Sequence, residues 1–413
     1  MTRNLENVLL LQGGGSLGAF GCGVYKALLK NNINLDIIAG TSIGGINAAI
    51  IAGTKNEEKT EELLENFWME LSESFIDLEK FASSSYWSSL IARNFFPDYD
   101  FLKFISTEAA AKGAEINDRF ATKTNKQKIK INQLKSFYSS AIFGNDKMFV
   151  PRWSSDYVLT DQDYFAPQKW TYMYDHSPLT KTLEKYVDYD KLKPGGNSKI
   201  RLILTAVNVL TAEPLTFDSY RQQITPKHIL ATSAYPLYNF RWVEVEDGVY
   251  AWDGSLLSNT PSREVIAASP VKDKMIVLVE NYPPRIDSLP ENLPEVYHRA
   301  RDIMFSDKSK HSVKMSKVIS MYLNYMEELY QIVENNIDKI QLDEKQLKRI
   351  RRKYRKYKLE HGAEIKEIYY ITRDEPHPHL YENADFRPET IKNSIREGEE
   401  KANKIIKENK RRR

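Results

Sequence analysis

Residues 8–44 run VLLLQGGGSLGAFGCGVYKALLKNNINLDIIAGTSIG. Val8-Leu9-Leu10-Leu11 is a short apolar run that stops at Gln12 and three glycines, the pattern of a buried parallel strand. Leu17 to Leu29 follows at helical spacing, with Ala19, Val24, Ala27 and Leu28 on one side. Asp36-Ile37-Ile38-Ala39 is a second short buried strand, and Ile43 to Ala52 is an apolar helix. Strand, helix, strand and helix at this density predict a right-handed parallel α/β unit.

Both connections after the strands carry chemistry. Gly13-Gly14-Gly15-Ser16-Leu17-Gly18 lies between a strand and a helix. Its glycines let the backbone turn sharply and leave N–H groups open. The helix that follows adds its positive end, so the loop can bind a phosphate or a developing oxyanion. The segment also matches G-x-G-x-x-G, the dinucleotide-binding pattern. That fold needs an acid at the C-terminal end of the second strand, whereas Asp36 starts it. The mismatch disfavours a nucleotide-dependent oxidoreductase. The second connection, Gly40-Thr41-Ser42-Ile43-Gly44, is G-x-S-x-G between a buried strand and an apolar helix, the context of a nucleophile elbow. A serine cap on an ordinary turn is the plain alternative. Paired with a glycine loop one strand earlier, the motif supplies a nucleophile and oxyanion donors.

A nucleophilic serine needs a base. Seven histidines are present, and His377-Pro378-His379 is the best-placed pair, yet none sits in a convincing strand-end loop. Trp252-Asp253-Gly254-Ser255, followed by Asn259-Thr260-Pro261, can place a carboxylate directly on the serine. Asp247-Gly248 competes locally, and a β-turn would account for either pair.

The ordered set Gly13 to Gly18, Gly40 to Gly44 and Asp253-Gly254-Ser255 resembles the patatin-like phospholipase family, over about Asn7 to Glu280. The resemblance implies a three-layer α/β/α acyl hydrolase with a mostly parallel central sheet and a Ser–Asp dyad without histidine. It makes Ser42 the nucleophile and Asp253, rather than Asp247, the general base. Gly13, Gly14 and Gly15 would supply the oxyanion hole, with Gly18, Gly40, Gly44 and Gly254 supporting the motifs. It implies no metal or organic cofactor, and a phospholipid or other acyl-lipid substrate of the phospholipase A or lysophospholipase kind. Two departures bear on substrate preference: Leu17 where the family often has Arg or Lys, and Ser255 where Gly or Ala is frequent.

Outward from these motifs, strands are expected at Ile200 to Val209, Met275 to Glu280 and Glu364 to Arg373, and a hairpin within Arg241 to Asn259. Residues 55–195 read as an aromatic-rich helical insertion, whose rings either pack a core or line an acyl groove. Prolines at 283, 284, 290 and 294 suggest a boundary. The expected division is a hydrolase domain over 1–290 and a mainly helical, basic extension over 291–413. That extension has an amphipathic helix from Val318 to Ile337 and a polar helix or tail from Pro388, and resembles that of some bacterial patatin-like proteins.

The 413 residues are 28% charged and 41% hydrophobic, enough for a sizeable core and against wholesale disorder. A lone Cys22 excludes an internal disulfide framework and a multi-cysteine metal site. The start of the chain does not read as a signal peptide, and Ile37 to Thr54 is broken by glycines too early to span a membrane. The expectation is a cytoplasmic protein acting peripherally at membranes. The net charge of +3 averages over Lys345 to Lys358, which holds nine Lys or Arg and no acid. That helix is either a solvated face or an attachment to an anionic bilayer. Nucleic acid is not an expected partner, since no recognisable module accompanies the charge. A carboxylesterase or thioesterase on soluble acyl groups and a non-catalytic lipid-binding protein are the competing readings.

Overall fold

The computed structural model describes residues 5–73, 136, 139–154, 157, 160–291, 293–306, 309–340, 343–361, 363–374 and 382–412. Part of the expected aromatic insertion lies outside the described residues, including Phe75, Phe81, Tyr86, Trp87, Phe95, Phe96, Phe101 and Phe104, as do His377 and His379.

The described strands are β1 (Leu5–Leu11), β2 (Ile37–Gly40), β3 (Val150–Pro151), β4 (Tyr174–Asp175), β5 (Arg201–Asn208), β6 (Pro214–Asp218), β7 (Val243–Glu246), β8 (Val249–Asp253), β9 (Asp273–Glu280) and β10 (Ile365–Thr372). Eight of them form one sheet in the order β10-β9-β1-β2-β5-β8-β7, with β6 also on β5. The strands from β10 to β5 run parallel, and β6, β7 and β8 pair antiparallel. β3 and β4 form a separate two-stranded ribbon.

The helices are α1 (Ala19–Lys30), α2 (Ile43–Ala52), α3 (Thr60–Glu73), α4 (Pro178–Leu183), α5 (Pro226–Ser233), α6 (Ser262–Ala268), α7 (Leu293–Phe305), α8 (Ser309–Asn335), α9 (Glu344–His361) and α10 (Pro388–Arg412). Alternation along β1 sends Leu9 and Leu11 into a large core with α1, α2, α3 and α10. Val8 and Leu10 join Ile37, Ile276 and Val265 of α6 in a second core on the other face. The result is a three-layer α/β/α sandwich with a mostly parallel sheet and a helical C-terminal region.

Residues on both sides of position 290 build this sheet, because β10 pairs with β9 from Ile365 to Thr372. The terminal helix is also more than a polar tail. Ile391, Ile395, Ala402 and Ile406 form a buried stripe on it. α10 meets α1 backbone to backbone: a Cβ on Gly23 would lie 1.8 Å from Ile395 O, and one on Gly398 would lie 2.1 Å from Phe20 O. Cys22 is buried on α1, and burial pushes its thiol pKa far above the ordinary range.

Register brings the motifs together. Leu11 at the end of β1 faces Gly40 at the end of β2, so the glycine loop and the serine turn leave the sheet side by side. Gly40 in turn faces Leu204, and two residues on Ala206 faces Asp253 at the end of β8. Ile37 to Thr54 is β2, a turn and α2, and among the described residues no helix is long and apolar enough to cross a membrane.

Candidate active site

Ser42 stands between β2 and α2 with φ 57° and ψ −132°, a conformation that costs a non-glycine residue about 1–3 kcal/mol. Its N–H is held by Thr232, at 2.9 Å from O and 3.1 Å from Oγ1. The flanking glycines are steric requirements. A Cβ on Gly40 would sit 2.2 Å from Gly44 O, and one on Gly44 would sit 2.3 Å from Leu11 O. Gly18 and Gly254 are similarly confined, by Ile43 Cγ1 at 2.7 Å and Thr205 Oγ1 at 2.6 Å from the absent Cβ.

Asp253 is 1% exposed at the end of β8. Its Oδ1 accepts from Ser255 N at 2.8 Å and Ser255 Oγ at 2.7 Å, so the serine that departs from the commoner motif supports the carboxylate. Its Oδ2 is buried without a hydrogen bond of good geometry. Burial raises the Asp253 pKa to about 6, against the lowering effects of the Ser255 N–H, the Ser42 hydroxyl and the Ser255 hydroxyl. Ser42 and Asp253 line the same cavity. Asp247, by contrast, is exposed in the β7–β8 turn.

The glycine loop lies against Ser42. Gly14 (φ 149°) and Gly15 (φ 58°) occupy positive-φ backbone regions that favour glycine. They line a cavity of about 500 Å³ with Ser42 and Asp253, and among the described residues their N–H groups meet no acceptor. The Gly13 N–H donates to Asn259 Oδ1 at 2.9 Å. The loop therefore presents the Gly14 and Gly15 N–H groups without an acceptor, with Gly13 engaged in holding it. The Asn259 amide also donates to Phe305 O at 3.2 Å.

Two aromatic groups wall the cavity. Phe149, Tyr174 and Phe240 meet edge-on or tilted at 5.4–5.8 Å. Tyr235, Tyr282 and Phe305 form the other group, with Leu17 packed among them. His176 also lines the cavity; it is buried, its Nε2 is held by Leu230 O at 2.9 Å, and desolvation lowers its pKa. His228 closes a capping box on α5 and stacks on Phe217 at 4.3 Å, with burial lowering its pKa to about 4. Asp36 accepts from Asn7 N at 2.7 Å, at the end of β2 away from the glycine loop, where it could not hold a ribose.

His298, Asp302 and Glu382 are the only buried trio of potential metal ligands among the described residues. Their carboxylates are already paired with cations. Arg301 Nη2 is 2.8 Å from Asp302 Oδ1 and 2.7 Å from Glu382 Oε1, and Arg373 Nη2 is 2.9 Å from Glu382 Oε1. Two guanidinium groups suit this pair of acids better than a divalent ion would.

Comparison with known proteins follows the same lines. The Patatin-like phospholipase family model matches residues 9–266. A triacylglycerol lipase SDP1L of Arabidopsis thaliana is 41% identical over 63 residues, covering 15% of this chain and 8% of that protein. A patatin-like phospholipase domain-containing protein of Coccidioides immitis (strain RS) is 47% identical over 59 residues, covering 14% and 8%. The chain thus matches less than a tenth of the length of these relatives. The crystal structure of VipD from Legionella pneumophila overlaps 98% of this chain and 67% of its own, at 13% identity and a TM-score of 0.37. That of the type III effector ExoU overlaps 98% and 53%, at 11% identity and a TM-score of 0.27.

Proposed function

Since the chain belongs to the patatin-like phospholipase family, we propose that it is a serine hydrolase of lipid acyl esters, working through an acyl-Ser42 intermediate with Asp253 as the general base. The observation that carries this reading is the buried Asp253 carboxylate, with a pKa of about 6, beside a serine held at positive φ. A base poised near neutral pH combines a high ionised fraction with a useful proton affinity.

Asp253 takes the Ser42 proton as Oγ attacks the ester carbonyl. The Gly14 and Gly15 N–H groups receive the charge that develops on the carbonyl oxygen, commonly the largest single catalytic contribution. The ester C–O bond breaks, and protonated Asp253 returns its proton to the departing alkoxide. Water then repeats the sequence on the acyl-serine, and the fatty acid leaves.

Acyl lipids fit the site on two counts. The cavity is walled mainly by apolar and aromatic side chains. Its rim includes Leu237 and Met304, exposed at 69% and 67%, which suits contact with a lipid surface. A second element supports membrane attachment. On α9, Tyr354 stacks on Tyr330 of α8 at 3.8 Å, and Arg351 pairs with Glu334 at 2.7 Å. Lys345, Arg349, Arg352, Lys353 and Arg355 are left without an ion pair to any described residue, and all five are exposed. Each would contribute about 1 kcal/mol next to an anionic leaflet. The decisive assay is a panel of phospholipids, lysophospholipids, acylglycerols and soluble acyl esters or thioesters, with Ser42→Ala as control. Hydrolysis confined to soluble esters would replace the lipid reading with that of a carboxylesterase.

A further inference from the structure

The two N–H groups assigned to the oxyanion belong to two peptide planes. The Gly14 N–H shares its plane with the Gly13 carbonyl, and the Gly15 N–H with the Gly14 carbonyl. In a trans peptide these groups point in opposite directions from a rigid unit. Whatever holds the carbonyl therefore aims the N–H.

We propose that Asn281 and Asn383 are positioning residues for the oxyanion hole, each gripping the carbonyl of one of these two peptides. This rests on the reading of Ser42 as the nucleophile. Asn281 Nδ2 donates to Gly13 O and to Gln12 O, both at 3.1 Å. Asn383 Nδ2 donates to Gly14 O at 2.9 Å and to Tyr282 Oη at 2.7 Å. Both asparagines are buried, and both lie outside the residues that match the family model.

The direction of each amide is settled by its neighbours. Gln12 O and Gly13 O can only accept, so the NH₂ group of Asn281 must face them. Arg301 Nη1 can only donate and meets Asn383 Oδ1, so the NH₂ group of Asn383 must face Gly14 O. Arg301 is itself fixed by Asp302 at 2.8 Å and Glu382 at 2.7 Å. The loop is tied to the same C-terminal turn a second time, by Ser16 Oγ donating to Glu382 O at 2.7 Å. Contact is close enough that a Cβ on Gly15 would lie 2.3 Å from Asn383 O. Asn281 is braced through its own N–H, which donates to Gln12 Oε1 at 3.0 Å. Residues before β1's loop, after β9 and before α10 thus converge on two adjacent peptides.

The test uses the full chain and a fluorophosphonate probe. The endpoint of labelling counts folded sites, while the rate per site reports the oxyanion hole. Asn281→Ala and Asn383→Ala are each expected to label at least about tenfold more slowly per site, with kcat on a soluble ester falling equally and KM unchanged. Loss of fold alone would lower the endpoint and leave the rate per site intact. If an alanine variant does not fold, the serine variant at the same position, too short to reach the carbonyl, takes its place with the same expectation. A variant that labels at the wild-type rate per site strikes that asparagine from the assignment. Failure of the wild-type protein to label at all would instead remove the nucleophile reading on which the proposal stands.

Discussion

Replacing Asp253 by Asn is expected to stop turnover and, at the same time, to stabilise the fold. Asp253 is 1% exposed, and its pKa rises from 3.8 in the unfolded chain to about 6 in the folded one. The folded state holds this proton more tightly, so wild-type stability falls as pH climbs from about 3.8 to 6. Two pKa units correspond to about 3 kcal/mol, expressed in full above pH 6 and absent below the unfolded pKa. Asn carries no charge, and its Oδ1 can still accept from the Ser255 N–H and hydroxyl. Asp253→Asn should therefore be about 3 kcal/mol more stable near pH 8, with about half of that gain left at pH 5. Urea unfolding of both proteins at the two pH values reads the difference directly. No gain at pH 8, or a gain equally large at pH 5, would refute the argument that a desolvated, ionised carboxylate is what the site maintains.

Other outcomes follow from the same geometry. The kcat/KM for a soluble ester should rise with pH through a midpoint near 6 and then level off, since the ionised form of Asp253 is the base; a midpoint unaffected by Asp253 substitution would contradict this. Gly15→Ala should lower kcat by about 10²-fold or more, because φ is 58° and the new Cβ would meet Asn383 O at 2.3 Å; steady-state kinetics on purified protein checks it. Asp247→Asn, and replacement of His377 with His379, should leave kcat within twofold of wild type in the same assay. Neutralising Lys345, Arg349, Arg352, Lys353 and Arg355 should abolish co-sedimentation with anionic vesicles at low salt while sparing hydrolysis of soluble esters. Binding that persists, or that never responded to salt, would assign α9 to a solvated face.

The chemistry concentrated in short motifs was legible because each motif is local. The strain at Ser42, the bulk-free position at Gly40 and the left-handed turn at Gly15 are demands of contiguous backbone, so residue type records them. The choice between Asp253 and Asp247 was not local. Both precede glycine, and in the sequence only the family resemblance separates them; in the structure Asp253 faces Ala206 inside the sheet, while Asp247 sits in the exposed turn. The contacts of Asn259, Asn281 and Asn383 with the glycine loop were illegible for a related reason. In the sequence Asn259 stands only as part of the aspartate segment, and an asparagine has no periodicity that tells a loop brace from a turn. The hydrogen bonds that give them roles close across hundreds of residues. The same limit explains Gly13, whose N–H is consumed by a residue 246 positions away. At the C-terminus the charged outer face of α10 masked its buried isoleucine stripe, and the strand at 365–372 carried no sign of which sheet it would join.

On the proposed mechanism the Ser42 hydroxyl accepts the acyl group. Rapid acid quench during turnover of a slow acyl ester, followed by peptide mass spectrometry, tests it most directly. One added acyl mass is expected on the peptide containing Ser42, present in the wild type, absent in Ser42→Ala and strongly reduced in Asp253→Asn. An acyl adduct at any other residue, or full turnover by Ser42→Ala, would contradict it.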